Sequence, residues 1–473
     1  MANVRPFYPR DAARAIAAVI GYNPHMSLRP APDAHDRALL IGASAGGAMR
    51  LLQVALSVLL VLVLTRSLPL SVYGVWAALG IVGSLVMFTS GIGSRLCNEM
   101  ANGRGNGEEE RQRVFFAAFS VCARFCWIAG AVFLAAAPLI PWRSVLGQAD
   151  PGLFLLARRG FIAAVLLQAA GMPFVLGAYA LRAFRRNVAA AAVSPLATAT
   201  SLCLAVAFLR AGWRLPLLLA PFAAWNLVFL ASFFMFIRSR GWRWRFVPLG
   251  EAWPLFRPLL ADSLSFSLLG LCLGFLLSSV TFLTSRRLGY VSAGGLDVYV
   301  KIYLTALTGL NELVQPLWPE YLRCLAADDR ACLRRRLSSS LAVTAGLAAL
   351  AAGAGALASP LLVRAISGRA IALPPGALAL LGGWLLLAAL VQALQMFLNA
   401  CNSTRVQLAV AALLLLALPP ASARLMAAWG RNGMLGAMVL SLGLLLGVMA
   451  WRTRVELGRL AARTGPARVG ALP

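Results

Sequence analysis

The residues of this sequence that could do chemistry are charges placed inside long apolar stretches. One stretch near 294–316 carries Asp297, Lys301 and Glu312 and runs into Val314-Gln-Pro-Leu-Trp-Pro319. At 3.6 residues per turn, Lys301 lies about 40° round from Asp297 and Glu312 about 20° further, so all three share one helix face. Thr308, Asn311 and Gln315 lie on or beside that face, and Tyr299 points away. Two readings stay open. Asp297 and Lys301 can neutralise each other as an i,i+4 pair, or the face can form the polar wall of a cavity. Arg124 sits about ten residues into another apolar run, Ser120-Val-Cys-Ala-Arg-Phe-Cys-Trp127. Charges in the bilayer cost at least ~2.5–3.5 kcal/mol, so by default they face a protein interior or water. Arg124 is therefore expected either to line a cavity or to hold structural hydrogen bonds. Arg50, nearer a span end, either lines the same cavity or snorkels to the interface. All of this is binding chemistry, and no catalytic residue or cofactor site is expected.

Other motifs carry little. Two His and eight scattered Cys offer no metal set and no disulfide framework, so the cysteines are expected as separate reduced thiols. Cys122 and Cys126, one turn apart, read as core packing. Gly103-Arg-Gly-Asn-Gly107 lacks the Gly-Lys-Ser/Thr ending of a phosphate loop and reads as a turn. Glu108-Glu-Glu110 reads as a solvated helix start, and Asp262 as the N-cap of a span. The sequon at Asn402 is expected on the cytoplasmic side. An interfacial helix at 11–20 and a plain tail are both compatible with the N-terminus.

The elements that must position these charges are membrane helices. Of 473 residues, 60% are hydrophobic and only 12% charged, with mean hydropathy +0.79. A soluble chain is about 25% charged. With about 20 apolar residues per crossing, spans fall near 44–65, 72–94, 114–139, 161–182, 188–209, 215–237, 262–284, 294–316, 339–363, 376–400, 406–427 and 432–451. Pro419-Pro420 interrupts the eleventh. The expected fold is an all-α polytopic membrane protein of about twelve helices in two six-helix lobes. The domains are a tail at 1–37, a lobe at 38–237, a basic aromatic linker at 238–258, a second lobe at 259–451 and a tail at 452–473. Pro173, Pro195 and Pro221 interrupt spans that also carry Gln168 and Asn226; Gln392, Gln395 and Asn399 add polar groups later. Broken helices with convergent polar groups are the pattern of a mid-membrane substrate site.

The formal charge is +27, with 42 arginines and one lysine, Lys301. No solvated basic domain accompanies it, so nucleic acid is not an expected partner. With the N-terminus inside, the internal segments hold 28 basic residues and the external loops 12, which places both termini in the cytoplasm. There is no ATP-binding motif.

Four stretches resemble the polysaccharide and oligosaccharide (O-antigen-type) flippases of the multidrug/oligosaccharidyl-lipid/polysaccharide exporter superfamily. They are Leu70-Ser-Val-Tyr-Gly-Val-Trp76, Gly91-Ile-Gly-Ser-Arg-Leu96, Leu313-Val-Gln-Pro-Leu-Trp-Pro-Glu-Tyr-Leu322 with Asp328-Asp329, and Asn399-Ala-Cys-Asn-Ser-Thr404 with Gly430-Arg-Asn-Gly-Met-Leu-Gly436. The resemblance implies two six-helix lobes around a V-shaped cavity opening alternately to each side of the bacterial inner membrane. It implies a substrate, undecaprenyl-pyrophosphate-linked oligosaccharide, and a role in cell-surface polysaccharide or O-antigen biosynthesis. A polysaccharide polymerase and a chain-length regulator are the protein partners it suggests, alongside membrane lipids. The cavity of such flippases is cationic, and Arg124, Arg50 and Lys301 could supply that charge here. Two alternatives accompany this reading. A cation-coupled drug exporter of the same superfamily would favour carboxylates in spans 1–6, which contain none. A membrane polymerase or ligase would need a large external loop, and the loops are about 20 residues or shorter.

Overall fold

The computed structural model describes residues 34–102, 107–147, 150–184, 186–314, 317–401 and 403–462. Fourteen α-helices account for almost all of them, and no strand occurs among the described residues. In chain order they are α1 (Ala34–Ser67), α2 (Leu70–Gly83), α3 (Met87–Asn102), α4 (Glu108–Ala136), α5 (Trp142–Leu146), α6 (Pro151–Gly171), α7 (Val175–Ala183) and α8 (Asn187–Arg210). The rest are α9 (Arg214–Ser239), α10 (Leu249–Val314), α11 (Leu317–Ala326), α12 (Arg330–Ser367), α13 (Ala377–Ala400) and α14 (Thr404–Ala462).

Among the described residues, ten helical runs are long and apolar enough to cross a membrane, two of them 49 and 57 residues long. At 1.5 Å per residue these two would extend about 70–85 Å if straight, far beyond a hydrocarbon core of about 30 Å. Each is broken by a glycine. At Gly289 (φ 81°, ψ 167°) α10 leaves helical geometry, and at Gly430 (φ 53°, ψ −130°) α14 does the same. Only glycine takes such angles without strain. Both breaks reverse the chain. The Thr281 hydroxyl reaches Asp297 Oδ1 at 3.2 Å across Gly289, and a Cβ on Gly433 would lie 2.0 Å from the Leu425 carbonyl across Gly430. Each broken run therefore crosses twice, which gives the twelve passes expected from hydropathy in an all-α, multi-pass membrane protein.

Several local expectations need correction. Asp262 is no N-cap, because α10 already begins at Leu249. Pro419 and Pro420 lie within α14, whose real break is Gly430, and α14 continues to Ala462 rather than ending near 451. The cysteines are not all separate. Cys324 and Cys332 are paired across the turn joining α11 to α12, with Cα atoms 6.1 Å apart, and in the same turn Asp329 caps α12 by accepting from the Cys332 amide at 2.8 Å. Glu108 is more than a solvated helix start, since Arg240 Nε (2.9 Å) and the Trp242 indole (2.8 Å) both donate to it. The possible helix at 11–20, residues 103–106 of the glycine turn, Gln315, Asn402 and the chain beyond 462 lie outside the described residues.

Of the three prolines expected to interrupt spans, only Pro173 does so, where its missing backbone donor breaks the helix, while Pro195 and Pro221 lie inside the continuous helices α8 and α9. Pro173 falls in the 3₁₀ turn Met172–Phe174 between α6 and α7, and a second 3₁₀ turn, Ser84–Val86, separates α2 from α3. Helix packing places α8 against α1 and α9, α6 against α4 and α9, and α13 against α12 and α14, while α2, α3 and α4 pack on α10. Close backbone contact marks the last seam. A Cβ on Gly74 would lie 1.9 Å from the Tyr290 carbonyl, and one on Gly294 would lie 2.6 Å from that of Leu70. The largest aromatic core joins α4, α9 and the segment 241–248, with Phe115, Phe119, Phe233 and Phe236 around Trp242 and Trp244.

Candidate functional site: a cationic cavity

Loose packing of α1 against α10 leaves room for a cavity of about 580 Å³. Its walls come from the middle of α1, α2 and its junction with α3, the end of α6, α7, α8, the middle of α9 and one side chain of α10. Three cations line it: Arg50 from α1, Arg182 from the end of α7 and Lys301 from α10. No carboxylate does so among the described residues. Aromatic side chains Trp76, Trp225, Phe222 and Tyr179 supply apolar surface, and Gln53, Gln168 and Ser194 supply hydrogen-bonding groups. A groove of about 430 Å³ lies alongside, between α1, α10 and α12, and shares Gln53, Trp76 and Lys301 with the cavity. Its other walls are mainly aliphatic, including Val54, Val61, Ile302 and Leu362.

Lys301 is held from behind. Its ammonium pairs with Asp297 one turn earlier, and Asp297 is almost wholly buried, at 4% exposure. Asp297 also accepts from Tyr73 Oη at 2.6 Å and from Thr281 Oγ1 at 3.2 Å. Three donors from α2 and both arms of α10 thus satisfy one carboxylate, as a buried charge requires. The Lys301 ammonium further stacks over the rings of Trp76 (4.7 Å) and Tyr73 (5.8 Å). Its side chain remains 30% exposed, so a cation faces the cavity while its counter-ion stays out of reach of a ligand. Both readings of the Asp297–Lys301 spacing hold together: the pair exists, and one member lines a wall. Tyr299 points elsewhere, its hydroxyl donating to the Ile371 carbonyl at 2.8 Å.

The other expected site residues divide. Arg50 lines the cavity, and its guanidinium also donates to Gln53 Oε1 at 2.8 Å. Arg124 is not among the cavity residues. Its guanidinium lies 4.3 Å over the Phe246 ring and makes a long 3.4 Å contact with the Ser120 carbonyl. The physical reason is that 241–248 folds back onto α4, where Ser120 Oγ also accepts from the Val247 amide at 2.9 Å. That fold-back gives the deep charge a cation–π partner outside the cavity. Glu312 lies in α10, but its side chain is outside the described set. Gln168 is a wall residue, whereas Asn226 is structural and donates to the Leu167 carbonyl at 2.6 Å. Arg182 and Tyr179 escaped the sequence reading because they sit at a span end, where an arginine looks like a topology signal.

No protein-family model matches this chain, and no curated protein sequence does. Its structure, however, is similar to solved transporters. An inward-facing multidrug resistance transporter of the MATE family, in the MOP superfamily, matches with TM-score 0.66 and 13% identity, over 89% of this chain and 100% of that one. An outward-facing MATE family structure matches with TM-score 0.62 and 13% identity, over 89% and 96%. A MOP superfamily transporter from Pyrococcus furiosus matches with TM-score 0.59 and 14% identity, over 90% and 95%; its binding pocket is described as having reverse polarity that suggests a different function. At such identities the likeness establishes the fold alone.

Proposed function

We propose that this protein is an alternating-access exporter of amphipathic anions, and that its substrate is a polyprenyl-pyrophosphate-linked oligosaccharide carried outward across the inner membrane. The observation that carries this reading is the sign of the cavity: Arg50, Arg182 and Lys301 line it without a facing carboxylate among the described residues. A diphosphate suits such a wall, because hydrogen bonds between ionised partners are the strong ones. The aliphatic groove meeting the cavity at Lys301 suits a hydrocarbon tail. Each sugar hydroxyl costs roughly 2–7 kcal/mol to desolvate unpaired, so a hydrated path removes most of the barrier. With the cytoplasm negative, outward movement of the head is favoured by about 2.3 kcal/mol per charge per 100 mV.

A second reading is favoured by the structural neighbours, which include multidrug resistance transporters. On fold alone, export of small molecules fits as well or better. The two readings differ in the charge of the cargo. Proteoliposomes with a fluorescent polyprenyl-pyrophosphate oligosaccharide on one side, and separately with a lipophilic cationic dye, separate them. We expect translocation of the lipid-linked sugar, its loss in Lys301→Met and Arg182→Gln, and its retention in Arg124→Gln. Transport of the dye alone would establish the drug-export reading instead.

A further inference from the structure

A second, larger cavity of about 750 Å³ lies apart from the cationic one, between α3 and the later helices α10, α11, α13 and α14. Its lining has a different chemistry: Asn98, Ser94, Gln395 and Arg405 around the aromatic pair Phe266 and Trp318. The two rings stack at 6.4 Å with planes 24° apart. The Trp318 indole nitrogen is buried and has no hydrogen-bond partner among the described residues. The floor is a backbone approach of α3 to α10, where a Cβ on Gly91 would lie 2.5 Å from Ser267 Oγ and 2.8 Å from the Ser263 carbonyl. On the same helix, a Cβ on Gly93 would lie 2.3 Å from the ring of Tyr179, a wall residue of the first cavity. Helix α3 is therefore a partition, with the cationic cavity on one side and this cleft on the other.

We infer that the cleft is a carbohydrate-binding site. Amide and hydroxyl side chains both donate and accept, as vicinal sugar hydroxyls do, and an aromatic platform offers an apolar face to the C–H side of a pyranose. A hydrocarbon tail would leave too many of these groups unpaired. A phosphate would meet fewer cations here than in the first cavity: two arginines line the cleft, Arg95 and Arg405, and Arg95 is engaged by Glu99 at 2.9 Å. The volume accommodates a few sugar rings, within the ordinary range for ligand pockets of about 300–1,000 Å³. Such a site discriminates steeply, because a sugar lacking the matching hydroxyl strands a buried donor. The cleft would thus select the glycan, while the cationic cavity holds its anionic anchor; only this division of labour rests on the export reading.

The test uses full-length protein in lipid nanodiscs, which avoids sugar-headed detergents. The probes are a panel of lipid-free, fluorescently tagged neutral and uronic-acid-containing tetrasaccharides, with geranylgeranyl pyrophosphate as a separate probe of the first cavity. We expect at least one tetrasaccharide to bind, Trp318→Leu and Gln395→Ala each to weaken it at least tenfold, and neither to alter geranylgeranyl pyrophosphate binding. Lys301→Met should do the reverse. Trp318→Phe, which keeps a ring and loses the N–H, should bind with an intermediate loss even if the leucine variant fails to fold. A polyprenyl-linked form of the bound sugar that binds more tightly than the free sugar identifies the lipid-linked pool as the source, and equal binding identifies free sugar. The inference is overturned if no tetrasaccharide binds, or if binding survives undiminished in Trp318→Phe and Gln395→Ala. Loss of geranylgeranyl pyrophosphate binding in the unmodified protein would count against the export reading alone.

Discussion

The pair Asp297–Lys301 shows what spacing can and cannot say about a residue. Four positions on a helix imply contact, and the contact is there. Spacing cannot reveal that Tyr73, more than two hundred positions earlier, donates to the same carboxylate. Lys301 and Arg50 were legible as cavity residues because a charge in an apolar span must face something polar. Arg124 obeyed the same rule with a different partner, Phe246, and that partner lay in a segment read as a linker. Removing one member of a buried pair strands the other and costs about 3–5 kcal/mol, whereas removing both does not. Asp297→Ala should therefore lower stability by about 3 kcal/mol on that basis, read as a lower unfolding midpoint in detergent. The double variant Asp297→Ala/Lys301→Met should regain at least half of that loss while export stays abolished. A double variant no more stable than Asp297→Ala would refute the pairing account.

At the scale of elements, hydropathy located all twelve crossings but misjudged where helices start and stop. The reason is physical: a helix can run past the bilayer on either side, as α14 does to Ala462, while hydropathy reports only the apolar portion. The close seams were not legible at all. Nothing in Leu70-Ser-Val-Tyr-Gly-Val-Trp76 announces that Gly74 touches the backbone of Tyr290. The neighbouring atom there is a carbonyl, which cannot swing aside as a side chain would. Gly74→Ala should accordingly force α2 away from α10 and cost about 1–3 kcal/mol, as overpacking generally does. Gly80→Ala, with nothing within 4 Å of the added carbon, is the matched control. Similar unfolding midpoints for the two variants would show that the seam is not close-packed in the membrane.

At the scale of the whole molecule, the expected orientation rests on 28 basic residues in the segments assigned to the inside and 12 in those assigned to the outside. Single cysteines placed at 243 and at 287, on either side of the bilayer in that scheme, should react with an impermeant maleimide in opposite compartments of intact cells. Labelling of 243 from outside would invert the molecule and reverse the direction assigned to transport. The carbohydrate cleft is the feature furthest from the sequence. Its walls are commonplace serines, amides and aromatics drawn from five helices, and only the assembled fold brings them together.

Two of the twelve passes are joined to their successors by little more than one glycine each, at 289 and 430. In mechanical terms such a joint has no slack. The arms of α10 are also stapled to each other by Thr281 and Asp297, so they act as a stiff lever. Lys301 sits on that lever, and so does Tyr290, the contact that presses on Gly74. The cavity cation and the contact at the Gly74 seam thus lie on one arm of α10, so a displacement of that arm would move both.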